Sequence, residues 1–232
     1  MIHNNLVLIT GGAKGLGQYV AKRFLLHGFT VIVTSRESAF HNATSISHNT
    51  IINQQLDVTN VRSIENLFSW INALDVKLSV LINNAGVGIF NSFHKISLEE
   101  WNLVLQTNLT GAFQCAKETY INMLKNEGGR IINIGSIAEK IPLAQNAAYG
   151  VSKAGLRLLS SIINEEGAAH KIRSTHVTLG AVYTDIWKNR NGFNKEDMLD
   201  PDLVAKQIVH VALQPLDIRI DHIEILPEKG VL

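Results

Sequence analysis

The sequence has very little of the residues that build disulfide-linked and metal-dependent proteins. It contains one cysteine, Cys115, among 232 residues, and a single cysteine can form neither an internal disulfide nor a cysteine-rich metal site. The nine histidines occur singly, without the close spacing of histidine metal sites. We therefore expect no bound metal, and we expect Cys115 to be a small core residue.

The chain also lacks the charge and the long apolar runs of proteins that bind nucleic acid or span membranes. Its formal net charge of +1 provides no field that would attract a polyanion. No apolar run approaches the roughly 20 residues of a membrane-spanning helix. Residues 1–5 lead directly into a short apolar run, without the apolar core of a secretion signal. We therefore expect a cytoplasmic protein whose partners include neither membrane nor nucleic acid.

Short apolar runs alternate along the chain with stretches of helical periodicity. Uninterrupted apolar runs are typical of strands that are buried on both faces of a parallel sheet, which requires helices on both sides. The length suits one domain, so the pattern predicts a single α/β domain over residues 1–232 with a doubly wound parallel sheet. The predicted strands are residues 6–9, 30–34, 50–56, 79–82, 129–134, 172–179 and 222–226.

A glycine-rich turn follows the first apolar run and precedes a helical pattern. Glycines allow a tight turn and a close approach of the backbone, and the first N–H groups of the helix can bind a pyrophosphate. An ordinary structural turn is the alternative, but the order of strand, turn and helix favours a dinucleotide site. The residues predicted to contact the cofactor here are Gly11, Lys14, Gly15, Leu16 and Gly17.

The end of the second predicted strand bears on the type of dinucleotide. Dinucleotide folds that bind NAD place an acidic residue near this point, whereas an arginine suits the 2′-phosphate of NADP. Here the strand ends in Ser35 and Arg36, and Lys14 can reach the same phosphate. The two cations favour NADP over NAD, although Glu37 argues against that preference.

Two further strand ends carry residues suited to a cofactor site. Asp57 and Val58 follow the third predicted strand, where the carboxylate could accept a hydrogen bond from adenine or could only cap the next helix. Asn84, Ala85 and Gly86 follow the fourth strand, and small residues there would let a cofactor lie close. We predict that all five contact the dinucleotide.

Tyr149 and Lys153 are the residues whose spacing predicts chemistry. They are four apart, which on a helix places the two side chains on one face, about 5–6 Å apart at Cβ. A nearby ammonium favours the phenolate of a tyrosine whose free pKa is about 10, so the pair can act as a general acid or base. Ser136 ends the fifth predicted strand, and its hydroxyl can donate to a developing oxyanion. A Tyr-x-x-x-Lys pair also occurs by chance, and the context decides against that alternative.

The two helices before and after that strand carry one unusual feature each. The first is predicted over residues 98–125, opened by a capping box of Ser97 and Glu100. Asn108 lies in its interior, where asparagine is unfavourable because its amide competes for backbone bonds, so it either kinks the helix or serves a purpose. The second helix, which bears Tyr149, is apolar on more than one face. We therefore predict a homodimer or homotetramer.

Residues 180–198 follow the sixth predicted strand as an irregular segment with apolar and basic side chains. The segment is placed either to cover the cleft at the strand ends or to form an ordinary solvated loop. The sequence does not distinguish the two.

Together these motifs resemble the short-chain dehydrogenase/reductase family over nearly the whole chain. The resemblance implies a Rossmann-like fold with seven parallel strands and NAD(P)-dependent transfer of hydride to or from a carbonyl. The matching residues, in the order and spacing of the family, are Thr10, Gly11, Gly15, Gly17, 83–86 (Asn-Asn-Ala-Gly), Asn108, Ser136, Tyr149 and Lys153.

The resemblance also implies a role for each site residue. Tyr149 donates the proton to the carbonyl oxygen, Ser136 orients and polarises the substrate, and Lys153 lowers the pKa of the tyrosine and binds the nicotinamide ribose. Asn108 holds a water that connects this relay to solvent. Val182 and Thr184 approach the nicotinamide carboxamide. Leu179 replaces the usual proline before Gly180, which makes this turn less constrained.

Within the family, residues 219–227 are similar to those of NADP-dependent 3-hydroxy acid dehydrogenases. The 3-oxoacyl-carrier-protein reductases are nearly as similar, but Glu127 and His170 stand about where those enzymes carry arginines for their acidic carrier. The leading hypothesis is an NADPH-dependent reductase of a small ketone, aldehyde or oxo acid. A non-catalytic nucleotide-binding sensor would be expected to have a broken set of catalytic residues, and an isomerase or dehydratase would need an added acid–base pair, which we do not identify.

Overall fold

Seven parallel strands form one sheet at the centre of the protein. A computed structural model describes residues 5–39, 47–74, 76–184 and 194–231. The strand order is β3-β2-β1-β4-β5-β6-β7, and every pairing is parallel, which confirms the predicted fold class. The strands are β1 (Asn5–Ile9), β2 (Thr30–Ser35), β3 (Ile51–Gln55), β4 (Lys77–Asn83), β5 (Gly129–Ile134), β6 (Ile172–Leu179) and β7 (His222–Ile225).

The described residues form six α-helices, of which all but α3 pack on the two faces of this sheet. Alternate residues of a strand point to opposite faces, and both sets are apolar in the central strands: Val7 and Ile9 join one core, Leu6 and Leu8 the other. The first core includes α1 and α6, and the second includes α2, α4 and α5. The helices are α1 (Gly15–Leu26), α2 (Val61–Ala73), α3 (Leu98–Leu105), α4 (Gly111–Lys125), α5 (Ala147–Gly167) and α6 (Pro201–Ala212).

The helical stretch predicted over residues 98–125 is confirmed, and it is irregular around Asn108. Its first part, α3, begins at the predicted capping box of Ser97 and Glu100. A π-helical segment, Gln106–Thr110, then separates α3 from α4. Asn108 lies in that segment and is 1% exposed, which agrees with the expectation that an asparagine at this point disturbs the helix.

Helix α5, which carries Tyr149 and Lys153, is tied to the sheet at its far end by Asn164. The amide of this residue donates to the Ser174 carbonyl at 2.6 Å and accepts from the Ser174 N–H at 2.7 Å. Strand β7 pairs with β6 only from His176 onwards. The Asn164 side chain therefore makes the two hydrogen bonds to the Ser174 backbone that β7 does not make. These bonds fix where α5 lies along β6.

The segment after β6 is described in two parts, on either side of residues 185–193. Val182 forms a parallel bridge with Leu199, and the Lys195 ammonium lies 5.1 Å from the centre of the Tyr183 ring. The predicted cleft-covering residues Ile186, Trp187, Lys188, Arg190 and Phe193 lie outside the described residues. Over the described ranges, no helix combines the length and apolarity needed to cross a bilayer.

Candidate active site

Lys153 is the buried cation of the site. Its side chain comes from the second turn of α5, and its ammonium donates to the carbonyl of Ile134, the last residue of β5, at 2.8 Å. The residue is 5% exposed. Burial lowers the pKa of Lys153 from its usual 10.5 to about 8, while the negative charge of Glu139 opposes that shift. A change of this size means that the ammonium is held at a cost of about 3 kcal/mol.

Tyr149 lies one turn before Lys153, on the same face of α5. The Lys153 ammonium is 5.7 Å from the centre of the Tyr149 ring, so the spacing in the sequence does bring the phenol and the ammonium together. The ring of Phe90 lies 5.7 Å away, between centroids, at an angle of 50°. Tyr149 is partly exposed, so this side chain can face both a substrate and the lysine behind it.

Ser136 stands two residues beyond the end of β5, at the predicted strand end. It caps a short 3₁₀ turn, Ile137–Glu139, and its hydroxyl accepts from the Ala138 N–H at 3.3 Å. The Glu139 carboxylate in turn accepts from the Ser136 N–H at 3.2 Å. The serine is therefore fixed by a reciprocal capping box, which holds its main chain while the hydroxyl hydrogen stays available to a ligand.

Asn108 binds the loop after β4 instead of standing free in the site. Its amide oxygen accepts from the Val87 N–H at 2.8 Å, and its amide nitrogen donates to the Val87 carbonyl at 2.9 Å and to the Ser152 hydroxyl at 3.1 Å. Both side-chain N–H groups are thus engaged. A water held by this side chain would have only the second lone pair of the oxygen to use, so that role stays a prediction.

The glycine-rich turn forms a backbone cradle above the end of β1. Gly11 and Gly15 have φ values of +62° and +58°, a region that side chains disfavour. A Cβ on Gly17 would lie 2.7 Å from the Gly12 Cα, so no side chain fits there. A methyl group of Thr184 would be 3.8 Å from a Cβ on Gly15, which places Thr184 beside the turn.

Asn84 and Thr10 hold that turn against the end of β4. The Asn84 amide donates to the carbonyls of Thr10 and Gly11 at 3.0 and 2.9 Å. The Thr10 hydroxyl accepts from the N–H groups of Asn84 and Ala85 at 3.1 and 3.0 Å. The predicted residues Asn84 and Ala85 therefore adjoin the glycine turn, where they shape the cradle. Gly86 adjoins the predicted catalytic residues, since a Cβ there would lie 3.7 Å from the Lys153 ammonium.

The cations predicted to select NADP are exposed at the same edge of the sheet. Arg36 directly follows β2, and Lys14 precedes α1; both side chains are exposed. The neighbouring Ser35 hydroxyl is hydrogen-bonded to the Ser38 hydroxyl at 2.8 Å. Exposed cations at this edge are free to approach a phosphate.

Asp57 has a local partner that the sequence did not indicate. One carboxylate oxygen accepts from the N–H and the hydroxyl of Thr59 at 2.9 and 2.7 Å. The alternative that Asp57 caps the next helix is wrong, because α2 is capped by Asn60, which accepts from the Ser63 N–H at 3.2 Å. Val58 beside it is buried.

Three residues that the sequence did not single out complete the site. Val87 and Ser152 bind Asn108, and no spacing in the sequence indicated either contact. Glu139 was detectable, because Ser136 and Glu139 have the spacing of a capping box. In the part of the chain that the structure describes, no group of three or more His, Cys, Asp or Glu residues could hold a metal ion.

Comparison with known proteins identifies the family. The family described as short chain dehydrogenase matches residues 5–195. The chain belongs to the short-chain dehydrogenase family. This short-chain dehydrogenase is 29% identical over 235 residues to the NADP-dependent 3-hydroxy acid dehydrogenase YdfG of Salmonella typhi, an alignment that covers 96% of this chain and 94% of the relative. It is 30% identical over 223 residues to the 3-oxoacyl-[acyl-carrier-protein] reductase FabG of Vibrio harveyi, with 91% of each chain covered.

Solved structures agree with this assignment. The serine dehydrogenase of Escherichia coli has a TM-score of 0.80 at 27% identity, covering 98% of this chain and all of that one. The closed form of serine dehydrogenase complexed with NADP+ has a TM-score of 0.83 at 26% identity, covering 98% and 96%. The resemblance predicted from the motifs, including its similarity to 3-hydroxy acid dehydrogenases and carrier-protein reductases, is confirmed.

Replacing the buried lysine should stabilise this short-chain dehydrogenase at neutral pH. The folded-state pKa of Lys153, about 8, lies below the usual 10.5, so between these values the unfolded chain binds the extra proton and wild-type stability rises with pH. At pH 7 we expect the free energy of unfolding of Lys153→Met to exceed that of wild type by about 1–3 kcal/mol. This figure is the cost of burying the charge, reduced by the contribution of the hydrogen bond to Ile134 that the variant loses. The difference should shrink as pH rises from 8 towards 10.5, as measured by urea unfolding.

The control for this measurement is Lys125→Met, which removes an exposed lysine from α4. Its stability difference from wild type should be small and independent of pH over the same range. A Lys153→Met difference that stays constant with pH would contradict the assignment of a burial-lowered pKa to this residue.

Proposed function

We propose that this protein is an NADP(H)-dependent oxidoreductase that transfers hydride between the nicotinamide and the carbonyl or alcohol carbon of a small ketone, aldehyde or oxo acid. The observation that carries the proposal is the buried Lys153 ammonium, bonded to the Ile134 carbonyl and 5.7 Å from the Tyr149 ring. The NADP-dependent 3-hydroxy acid dehydrogenase among the relatives supports both the cofactor and the reaction class.

The chemistry follows from the positions of three side chains. When bound, the cofactor supplies or accepts the hydride. Tyr149 gives its phenolic proton to the carbonyl oxygen, and the nearby Lys153 charge stabilises the phenolate that remains. The Ser136 hydroxyl, held at the end of β5 by its capping box, donates a hydrogen bond to the same oxygen.

The backbone and the exposed cations fit such a cofactor. The cradle around Gly11 and Gly17 has no room for a Cβ at Gly17, and the amino end of α1 offers unpaired N–H groups to a diphosphate. Arg36 and Lys14 are placed to bind a 2′-phosphate. Asp57 and Val58 would adjoin the adenine, while Val182 and Thr184 would adjoin the nicotinamide end.

A 3-oxoacyl-carrier-protein reductase is the second candidate, supported by the relative from Vibrio harveyi. An acidic carrier would need basic residues at the surface that receives it. Glu127 stands at one such place with its side chain 94% exposed, and Lys77 is its only ion-pair partner within the described residues, at 3.9 Å. A carboxylate there repels an acidic carrier, so a small carbonyl compound is the better-supported substrate.

We also infer that the protein is a homo-oligomer. Apolar side chains on α4 and α5 are exposed, among them Phe113, Leu124, Leu158 and Ile162. The two helices are neighbours, so these side chains extend one apolar surface, which is typical of an interface between subunits. The cytoplasmic location expected from the sequence stays a prediction.

Loss of the Tyr149 hydroxyl should abolish carbonyl reduction. We expect wild type to oxidise NADPH in the presence of a panel of small ketones, aldehydes and 3-oxo acids, and Tyr149→Phe to lower kcat by about 10²–10⁴-fold, the usual contribution of a positioned acid. The measurement is the decrease in NADPH absorbance. Tyr19→Phe, which removes an exposed hydroxyl from α1, is the control and should retain full activity.

Three outcomes would reject this mechanism or this function. Full turnover by Tyr149→Phe would remove the tyrosine from the mechanism. Binding of NADPH by wild type without turnover of any carbonyl would favour the non-catalytic sensor, and turnover restricted to acyl chains on a carrier would favour the second candidate.

Removal of Arg36 should weaken the binding of NADPH and leave the binding of NADH unchanged. A charge-assisted contact to the 2′-phosphate contributes about 1.5–3 kcal/mol, so Arg36→Ala should raise the KM for NADPH by about 10-fold or more. Arg219→Ala is the control, because it removes the same charge just before β7, the strand furthest from β2 in the sheet. An equal effect of Arg36→Ala on NADPH and NADH would contradict its assignment to the phosphate.

The oligomer should depend on the exposed surface of α4 and α5. Sedimentation equilibrium should give two or four times the chain mass of 25.6 kDa. Leu158→Lys places a charge at a position that is 64% exposed in the single chain, so it should dissociate the assembly without unfolding it. A monomeric mass for wild type would reject the inference, and Leu203→Lys on α6 is the matched control.

A further inference from the structure

Glu139 is a fully buried carboxylate beneath the catalytic serine. Its side chain is 0% exposed, and it accepts three hydrogen bonds. The Ser136 N–H and the His176 ring nitrogen Nε2 reach the same oxygen at 3.2 and 2.7 Å. The Thr178 hydroxyl reaches the other oxygen at 2.5 Å. A buried charge is tolerated only when hydrogen-bond donors surround it in this way. The carboxylate is therefore an integral part of the folded structure.

The donors to Glu139 are themselves held in fixed roles. The Thr178 hydroxyl has one hydrogen, which goes to Glu139, so it must accept from His222 Nε2, which lies 2.7 Å away. His176 Nε2 carries the hydrogen that faces the carboxylate. Its Nδ1 is buried without a hydrogen-bond partner among the described residues, which favours a bare lone pair there. The two histidine rings stack at 6.1 Å between centroids.

The backbone beside this group leaves room for it only because residue 135 is glycine. A Cβ on Gly135 would lie 2.1 Å from His176 Nε2 and 2.6 Å from a Glu139 carboxylate oxygen. The Gly135 N–H donates to the Val177 carbonyl at 2.8 Å, so the backbone cannot move aside freely. The pair of Glu139 and His176 therefore packs directly against the turn that carries Ser136.

The same turn is bound by Lys153 and by Glu139. The ammonium binds the Ile134 carbonyl at 2.8 Å, and the carboxylate binds the N–H of Ser136, two residues later. Burial lowers the pKa of Lys153, and the Glu139 charge is the one group that raises it. The structure thus attaches a buried anion and a buried cation to the same turn.

We propose that Glu139 is a positioning residue for the reaction: held by His176 and Thr178, it fixes the main chain of Ser136 and places a buried negative charge on the turn that also binds the Lys153 ammonium. The proposal rests on the function proposed above, and it adds a residue that acts through Ser136 and Lys153 without touching the substrate. The charge is the essential part, since an uncharged acceptor could hold Ser136 equally well.

The protonation state of Glu139 agrees with this role. Burial raises its pKa, but the hydrogen bonds from His176, Thr178 and Ser136 outweigh burial and lower the pKa overall. The carboxylate is therefore ionised at neutral pH. The other titratable or charged groups around the cluster are Tyr149 and Arg157 on α5, Lys140, which pairs with Glu224 on β7, and His222.

Glu139→Gln removes the negative charge of this side chain and keeps its shape. The amide oxygen can accept from Ser136 and His176, as the carboxylate does. The amide nitrogen can donate to the Thr178 hydroxyl, which then turns its hydrogen towards His222, and His222 can change tautomer because it is partly exposed. The contacts to Ser136, His176 and Thr178 can therefore be retained while the negative charge is lost, at the cost of one buried amide N–H without a partner among these contacts.

The first test is the pH dependence of carbonyl reduction. Activity falls at high pH when the pair of Lys153 and Tyr149 loses its first proton, and removal of a nearby anion makes that loss easier. We therefore expect the alkaline limb of kcat to move to lower pH in Glu139→Gln, by roughly 1 pH unit. Glu224→Gln, which removes an equivalent charge from β7, should leave the limb in place.

The second test does not depend on activity. In protein labelled with ¹³C-lysine, the Lys153 resonance is identified by its absence in Lys153→Met, and its titration is followed by NMR. The pKa of Lys153 should fall below about 8 in Glu139→Gln and stay unchanged in Glu224→Gln. Glu139→Met combined with Thr178→Val, which removes the charge together with one of its donors, should give a shift in the same direction and serves if Glu139→Gln does not fold.

These readouts distinguish the possible failures. An unchanged Lys153 titration in Glu139→Gln, or in the double variant if it is used, would overturn the proposal and leave Glu139 with a structural role alone. An equal loss of activity at every pH, without movement of the alkaline limb, would do the same. If wild type reduces no carbonyl, the proposed function fails, while the NMR titration still decides whether Glu139 sets the charge of Lys153.

Discussion

The site depends on one costly interaction, the burial of the Lys153 ammonium at the end of β5. Burial lowers its pKa to about 8, so the fold opposes the charge that the proposed chemistry requires. The Ile134 carbonyl at 2.8 Å and the buried Glu139 carboxylate offset part of that penalty. Buried charges survive in proteins only when such partners are present, so the end of β5, the turn at Ser136 and helix α5 form one unit.

At three places where strands of this sheet begin or end, an asparagine side chain makes hydrogen bonds to the backbone that no neighbouring strand makes. Asn164 pairs with Ser174 beyond the start of β7, Asn84 joins the glycine turn to β4, and Asn108 pairs with both backbone groups of Val87. An amide carries a donor and an acceptor like a peptide group. These residues therefore fix segments that the sheet itself does not reach, and Asn84 and Asn108 do so at the carboxyl ends of the strands, where the predicted site lies.

The sequence predicted the elements that follow from local patterns, and it missed contacts between distant residues. The strand runs, the glycine turn and the spacing of Tyr149 and Lys153 all reflect rules that act within a few residues, and they were confirmed as structure. The helical stretch over 98–125 and its disturbance at Asn108 were confirmed. The bond of Asn108 to Val87, 21 residues away, was not predicted. Asp57 was misjudged as a possible helix cap because Asn60, three residues later, competes for that position.

The sequence by itself determined the fold class, the family and the residues that can do chemistry, because periodicity and motif spacing are local properties of the chain. The tertiary structure alone decided how charged the site is. His176 and Thr178 on β6 reach Glu139, 37 and 39 residues earlier, and the depth at which Lys153 is buried depends on the packing of α5 against the sheet. A pKa is set by burial and by neighbouring charges in space, and neither can be read from the order of residues.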